Sequence, residues 1–149
     1  MSDSQAVIPA LTGLEQMTAL LDGQTRPGIG VTLGFRLTVL EPGRVVFTGV
    51  PHRGVYNPIG TVHGGYAATL LDSACGCAVH SRLGAHQGYT TLELKVAYHR
   101  SMTHETGEVR AEGRVVTLGR RAAFAEATLK DAAGRLYASA TSTLMVMER

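Results

Sequence analysis

The stretch that decides the fold is Asn57–His80, NPIGTVHGGYAATLLDSACGCAVH, an Asn-Pro turn and a His-Gly-Gly leading into a long apolar run. Ala67, Ala68, Leu70, Leu71, Ala74, Cys75, Ala78 and Val79 surround a helical axis on nearly every side, which predicts a buried helix over 61–83. Its polar exceptions, Tyr66, Thr69, Asp72 and Ser73, fall on one stripe at spacings of three and four. Asp72 is also the only carboxylate between Glu41 and Glu93. An acid in so apolar a helix is costly unless it is used, which makes Asp72 the first candidate for chemistry.

Upstream of that helix, residues 11–22 have amphipathic helical spacing, with Leu11, Leu14, Met17, Thr18 and Leu21 on one side and Gly23 as a stop. GQTRPGIG then reads as a loop. Residues 35–40 and 44–50 alternate around the turn Glu41-Pro42-Gly43, as a β-hairpin does. Downstream, 90–100, 107–118, 121–130 and 136–147 read as four strands. In the first of these, Thr90, Leu92, Leu94, Val96 and Tyr98 form an apolar face opposite Thr91, Glu93, Lys95, Ala97 and His99. Tight reversals at Leu118-Gly119-Arg120 and at Lys130–Gly134 make the last strands a meander. A helix apolar all round is buried only if a curved antiparallel sheet wraps it, so the expected class is α+β. The whole of 1–149 is expected to be one domain, with 1–30 a helix and loop and 31–149 the core.

Composition narrows the function. A chain of 149 residues, 44% hydrophobic and 17% charged, has the apolar mass for one core. The net charge of +2 comes from scattered basic residues with no aromatic interleaving, which excludes a nucleic-acid surface. No run is long and apolar enough for a membrane helix, and the first residues lack a basic segment followed by an apolar one, so the expected location is cytoplasmic. Cys75 and Cys77 are two apart on a helix and can neither bridge nor share a metal. His52, His80, His86, His99 and His104 lack zinc-site spacing, so no metal is expected.

The His-Gly-Gly supplies a different chemistry. A helix start presents unpaired N–H groups and partial positive charge, and glycines there let a carbonyl or oxyanion approach the bare backbone. Gly64 and Gly65 suit that role. Asp72, eight residues on, lies about 12 Å along the axis, too far for both ends of one helix to grip one small group. Two helices antiparallel across a two-fold axis would bring Gly64 of one subunit to Asp72 of the other, which predicts a homodimer with sites at the interface.

Asn57, His63-Gly64-Gly65, Asp72 and the strand Thr91-Leu92-Glu93-Leu94-Lys95-Val96-Ala97-Tyr98 resemble the hotdog-fold acyl-CoA thioesterases, specifically the phenylacetate-pathway (PaaI-like, 4-hydroxybenzoyl-CoA thioesterase) branch. The resemblance spans roughly residues 35–147 and includes element order. It implies hydrolysis of an aromatic or medium-chain acyl-CoA to the free acid and coenzyme A, with no cofactor beyond the coenzyme A of the substrate. It further implies that the Gly64 N–H polarises the thioester carbonyl and that Asp72 acts as nucleophile or general base. Asn57 would orient water or substrate, His63 would shape the turn or touch the thioester, and Thr91 would help hold the attacking water. Gly119, Arg120 and Arg121 fall where relatives bind the nucleotide end of coenzyme A. Gly65, Tyr66 and Thr69 would contact substrate, and a homotetramer is compatible with the family.

Plainer roles stay open on local grounds. Asn57 before a proline suits an ordinary turn, the glycines suit close packing, and Thr91 is a good strand former. Rival functions are a hotdog dehydratase or hydratase, which needs a histidine facing a carboxylate over the substrate, and a non-catalytic acyl-CoA-binding module.

Overall fold

The computed structural model describes residues 9–23 and 28–149. In chain order these form α1 (Gly13–Leu21), α2 (Ile29–Leu33), β1 (Phe35–Glu41), β2 (Arg44–Gly49), a 3-10 turn (Arg53–Val55), α3 (Gly64–His80), β3 (Gln87–Tyr98), β4 (Val109–Leu118), β5 (Ala122–Asp131) and β6 (Leu136–Glu148). The six strands make one curved antiparallel sheet in the order β1-β2-β4-β5-β6-β3, wrapped on α3. This is the hotdog arrangement, and β3 is left as one open edge.

Two local elements depart from the sequence reading. Part of GQTRPGIG lies outside the described residues, but Ile29–Leu33 is helical and not loop, closed by Gly34 in the left-handed region at φ 75°. The central helix begins at Gly64, three residues later than its periodicity suggests, because the His63 side chain caps it by accepting from Gly65 N–H. At the other end of the chain, Thr12 and Glu15 close a capping box that starts α1.

The core is built from small residues on α3. Leu70, Leu71, Ala74, Cys75, Ala78 and Val79 are sealed from solvent against Val45, Val109, Ala123, Leu129 and Leu144 of the sheet. At Gly113 on β4 a Cβ would overlap the Ala74 carbonyl, so glycine is required for the helix to approach the sheet this closely. The wet face of β4 is ordered by Glu112, which accepts from both Arg44 and Arg114. Burial works against the ionised Glu112, yet the two guanidiniums outweigh it and hold its carboxyl below the usual range.

On β3 the alternation fails at one place. The register against β6 slips between Thr91 and Glu93, a β-bulge at Leu92, which is 60% exposed. The slip reverses parity: Thr91 turns to the helix side together with Leu94 and Val96, although alternation had put it on the polar face with Glu93.

Candidate active site

The bulge brings Thr91 to Asp72. The threonine Oγ1 donates to Asp72 Oδ1 at 3.1 Å, and both residues are half-buried. Asp72 shares an incompletely covered stripe of α3 with Ala68, Thr69, Ser73, Cys77 and His80. The Thr69 hydroxyl is used within the helix, donating to the Gly65 carbonyl at 2.7 Å. Burial pushes the Cys77 thiol up to about 12, which disfavours the thiolate a nucleophile needs.

Two turns back, the start of α3 forms the floor of a cleft of about 650 Å3. Asn57, His63, Gly64 and Gly65 line it, facing Tyr98, Arg100, Met102 and Tyr137. His63 Nδ1 accepts from Gly65 N–H at 2.7 Å, which makes the neutral ring the Nε2–H tautomer. Tyr66 N–H donates to the His63 carbonyl at 3.0 Å. Gly64 N–H has no acceptor among the described residues, so one amide at the positive end of α3 is free to hold an oxyanion. Among the described residues, no carboxylate lines this cleft.

Asn57 serves this site through its loop. Its Oδ1 accepts from Ile59 N–H and Thr61 N–H, both at 3.1 Å, and its Nδ2 donates to Thr61 Oγ1 at 2.9 Å. The side chain thereby closes the turn that delivers Val62 and His63 to the helix. Tyr56 supports the same turn from outside, its hydroxyl 2.8 Å from His104 Nδ1.

Tyr66 is not on the cleft wall. It is 2% exposed, and its hydroxyl, without a partner among the described residues, is packed against Gly49. Tyrosine at i+2 from Gly64 points to the sheet side of the helix, and burial pushes its phenol up to about 12. The Gly119-Arg120-Arg121 turn, closed by Gly119 N–H to the Ala122 carbonyl, exposes both guanidiniums. Because Ala123 pairs with Leu144 and Leu144 with Thr91, this turn belongs to the Asp72 end of the sheet and is remote from the Gly64 cleft.

The structure therefore assembles two groups, Asn57, His63, Gly64 and Gly65 at the helix start, and Asp72 with Thr91 two turns on. Sequence reading missed Tyr98, whose hydroxyl donates to the Gly64 carbonyl at 2.8 Å. Alternation placed its ring on the apolar face, but nothing local signals which backbone carbonyl its hydroxyl reaches. Among the described residues there is no group of three or more His, Cys, Asp or Glu with the geometry to hold a metal ion. None of the described helices is long and apolar enough to cross a membrane.

The sequence profile described as the thioesterase superfamily matches residues 59–138, more than half of the chain and the whole of α3. The chain belongs to the thioesterase superfamily. A thioesterase family protein from Silicibacter pomeroyi shares 32% identity over 89% of this chain and 98% of its own, with a TM-score of 0.79. A mutant of the phenylacetic acid degradation protein PaaI from Thermus thermophilus shares 29% identity over 78% of this chain and 96% of its own, at a TM-score of 0.71. A Streptococcus mutans protein bound to acetyl-CoA shares 27% over 78% and 90%, at 0.70. A curated protein of Halobacterium salinarum, named provisionally as an esterase, is 41% identical over 69 residues. Those residues are 45% of this chain and 44% of that relative, so the match spans less than half of its length. The superfamily match covers the Gly64 end of α3 and the Asp72–Thr91 pair alike.

Proposed function

We propose that this protein hydrolyses an acyl-CoA thioester to the free acid and coenzyme A, at paired sites that each combine the Gly64 end of one subunit with Asp72 of its partner. The observation that carries this reading is the separation on one rigid helix of a Gly64 N–H without an acceptor, in a cleft without a carboxylate among the described residues, from a carboxylate oriented by Thr91. Across a two-fold axis the two become one site. The open edge of β3 supports such a pairing. A strand-to-strand contact centred on Leu94 sets Glu93 opposite Lys95 of the partner subunit twice over, which is favourable charge pairing, and runs the two α3 helices antiparallel. Exposed Val116, Phe124, Met145 and Met147 on the sheet support a further association into a homotetramer.

In the reaction, the thioester oxygen accepts the Gly64 N–H, which becomes a stronger contact as negative charge develops there. The Asp72 carboxylate, held by Thr91, takes a proton from water as the water oxygen attacks the carbonyl carbon. Collapse of the tetrahedral oxyanion breaks the C–S bond, and the proton held by Asp72 passes to the departing sulfur, which releases coenzyme A as the thiol and restores the carboxylate. The Nε2–H of His63 is available to hydrogen-bond the thioester or the departing sulfur. The nucleotide end of coenzyme A is assigned to Arg120 and Arg121, which lie at the Asp72 end of the sheet. Coenzyme A as carrier is supported by the acetyl-CoA bound to the Streptococcus mutans relative, and an aromatic acyl group by the likeness to PaaI. The reading needs no cofactor and fits a cytoplasmic enzyme. A hydratase or dehydratase would use His63 facing Asp72 across the same interface; the Thr91 hydroxyl held on Asp72 favours hydrolysis.

The experiment is thiol release from a panel of short, medium-chain and aromatic acyl-CoAs, with two variants. Asp72→Asn is expected to lower kcat by about a hundredfold or more. Gly64→Pro deletes the N–H at the first helical position, where proline is tolerated and where His63, at φ −61° and ψ 136°, already has the backbone a proline requires before it. It is expected to lower kcat by roughly 10²- to 10³-fold while α3 stays folded, whereas Gly64→Ala, which crowds the same Tyr98 ring but keeps the N–H, is expected to lose less. No thiol release from any acyl-CoA, or full turnover by both variants, overturns the reading.

A further inference from the structure

Tyr98, the last residue of β3, is 57% exposed, yet its hydroxyl is committed to the backbone. It donates to the Gly64 carbonyl at 2.8 Å, and its ring lies so close that a Cβ on Gly64 would be 3.0 Å from both the ring and the hydroxyl. That carbonyl belongs to the same peptide unit as Gly65 N–H, and Gly65 N–H donates to His63 Nδ1 at 2.7 Å. The Tyr98 hydroxyl, one peptide unit and the His63 ring thus form a single hydrogen-bonded chain, in which each bond polarises the next.

We propose that Tyr98 is a positioning residue for the thioester site: through the Gly64–Gly65 peptide it holds His63 as the outward Nε2–H tautomer. The peptide is gripped on both sides, by a donor on its oxygen and an acceptor on its hydrogen. As the first residue of α3, Gly64 also gives its carbonyl to the helix, so removing the Tyr98 hydroxyl takes away the second donor, weakens the polarisation of the Gly65 N–H and loosens its bond to the His63 ring. A phenylalanine at this place would pack against Gly64 equally well; only the hydroxyl reaches the carbonyl. The missing Cβ at Gly64 and the hydroxyl at Tyr98 are therefore matched, since a Cβ at position 64 would make the ring give by a few tenths of an ångström and strain its bond to the carbonyl. The catalytic consequence rests on the thioesterase reading, whereas the clamp itself is a property of the fold.

The test uses Tyr98→Phe in the full chain, with two independent readouts. Nitrogen-15 NMR of the His63 ring and the Gly65 amide is expected to show ring shifts moving toward tautomer-averaged values and a Gly65 amide proton that exchanges several-fold faster. Steady-state thiol release is expected to show kcat lowered about tenfold or more, KM within about twofold and an unchanged melting temperature. Gly64→Ala, which displaces the Tyr98 ring from the other side, is expected to reproduce the NMR changes. His63 and Gly65 resonances identical to wild type in both variants overturn the proposal, and so does a raised KM with kcat intact, which would make Tyr98 a substrate contact. A protein that releases no thiol sinks the thioesterase reading, while the NMR readout still decides the clamp.

Discussion

At the scale of single residues, two polar groups near the start of α3 have opposite meanings. His63 is solvent-facing and engaged, whereas the Tyr66 hydroxyl is buried with no partner among the described residues. A buried hydroxyl without a hydrogen bond forfeits its desolvation energy, so Tyr66→Phe is expected to stabilise the protein by about 1 kcal/mol. Because the hydroxyl points to Gly49 and away from the cleft, the same variant is expected to keep kcat and KM. Urea melts and thiol-release kinetics on one preparation check both halves, and a loss of activity with unchanged stability would return Tyr66 to the substrate site. Thr91 makes the complementary point. Its identity is visible in the sequence, but its orientation toward Asp72 depends on the bulge at Leu92, which no local propensity announces.

At the scale of elements, the position of α3 against the sheet sets where the Gly64 N–H and the Asp72 carboxylate lie. Helix and sheet touch most closely where Gly113 faces Ala74. Gly113→Ala would drive a methyl group into a backbone carbonyl, and because that atom cannot rotate away, the helix itself must shift. The expected cost is about 3 kcal/mol, at the high end for overpacking, measured as a lowered urea midpoint with unchanged slope. An unchanged midpoint would show that the helix has slack against β4. The small residues that make α3 apolar on all sides in the sequence are what allow this approach. That inference was legible, while its strand partner, one glycine among eighteen, was not.

At the scale of the whole molecule, the proposed cross-subunit site and the pH response are open to direct measurement. Inactive Asp72→Asn subunits mixed with inactive Gly64→Pro subunits and allowed to exchange at equal amounts should form half mixed dimers, each with one intact site. Activity is then expected to return to about a quarter of wild type. Mixtures that stay inactive after demonstrated exchange would place both groups of a site in one subunit. The pH response centres on the C-terminal end of α3, where His80 lies 3.0 Å from Gln16 of α1 and against Tyr89. Burial, with the nearby charge of Arg149, lowers the His80 pKa below its ordinary value. The unfolded chain therefore binds this proton more readily than the folded one. Its stabilising contribution is complete above about pH 6.5 and is lost as pH falls through the folded value. His80→Phe cannot titrate, so the drop in melting temperature between about pH 7.5 and 5.5 should be smaller in the variant than in wild type.

The buried helix, the strand count, the α+β class and the residue types of both candidate groups are legible along the chain, because periodicity and the glycine-rich helix start are local properties written within a few turns of chain. Which of those residues meet is settled in three dimensions. The pairing of Thr91 with Asp72, the withdrawal of Tyr66 into the core and the grip of Tyr98 on Gly64 all depend on strand register and on how closely α3 approaches the sheet. Those are set by packing between residues far apart in sequence, which single-chain periodicity does not encode.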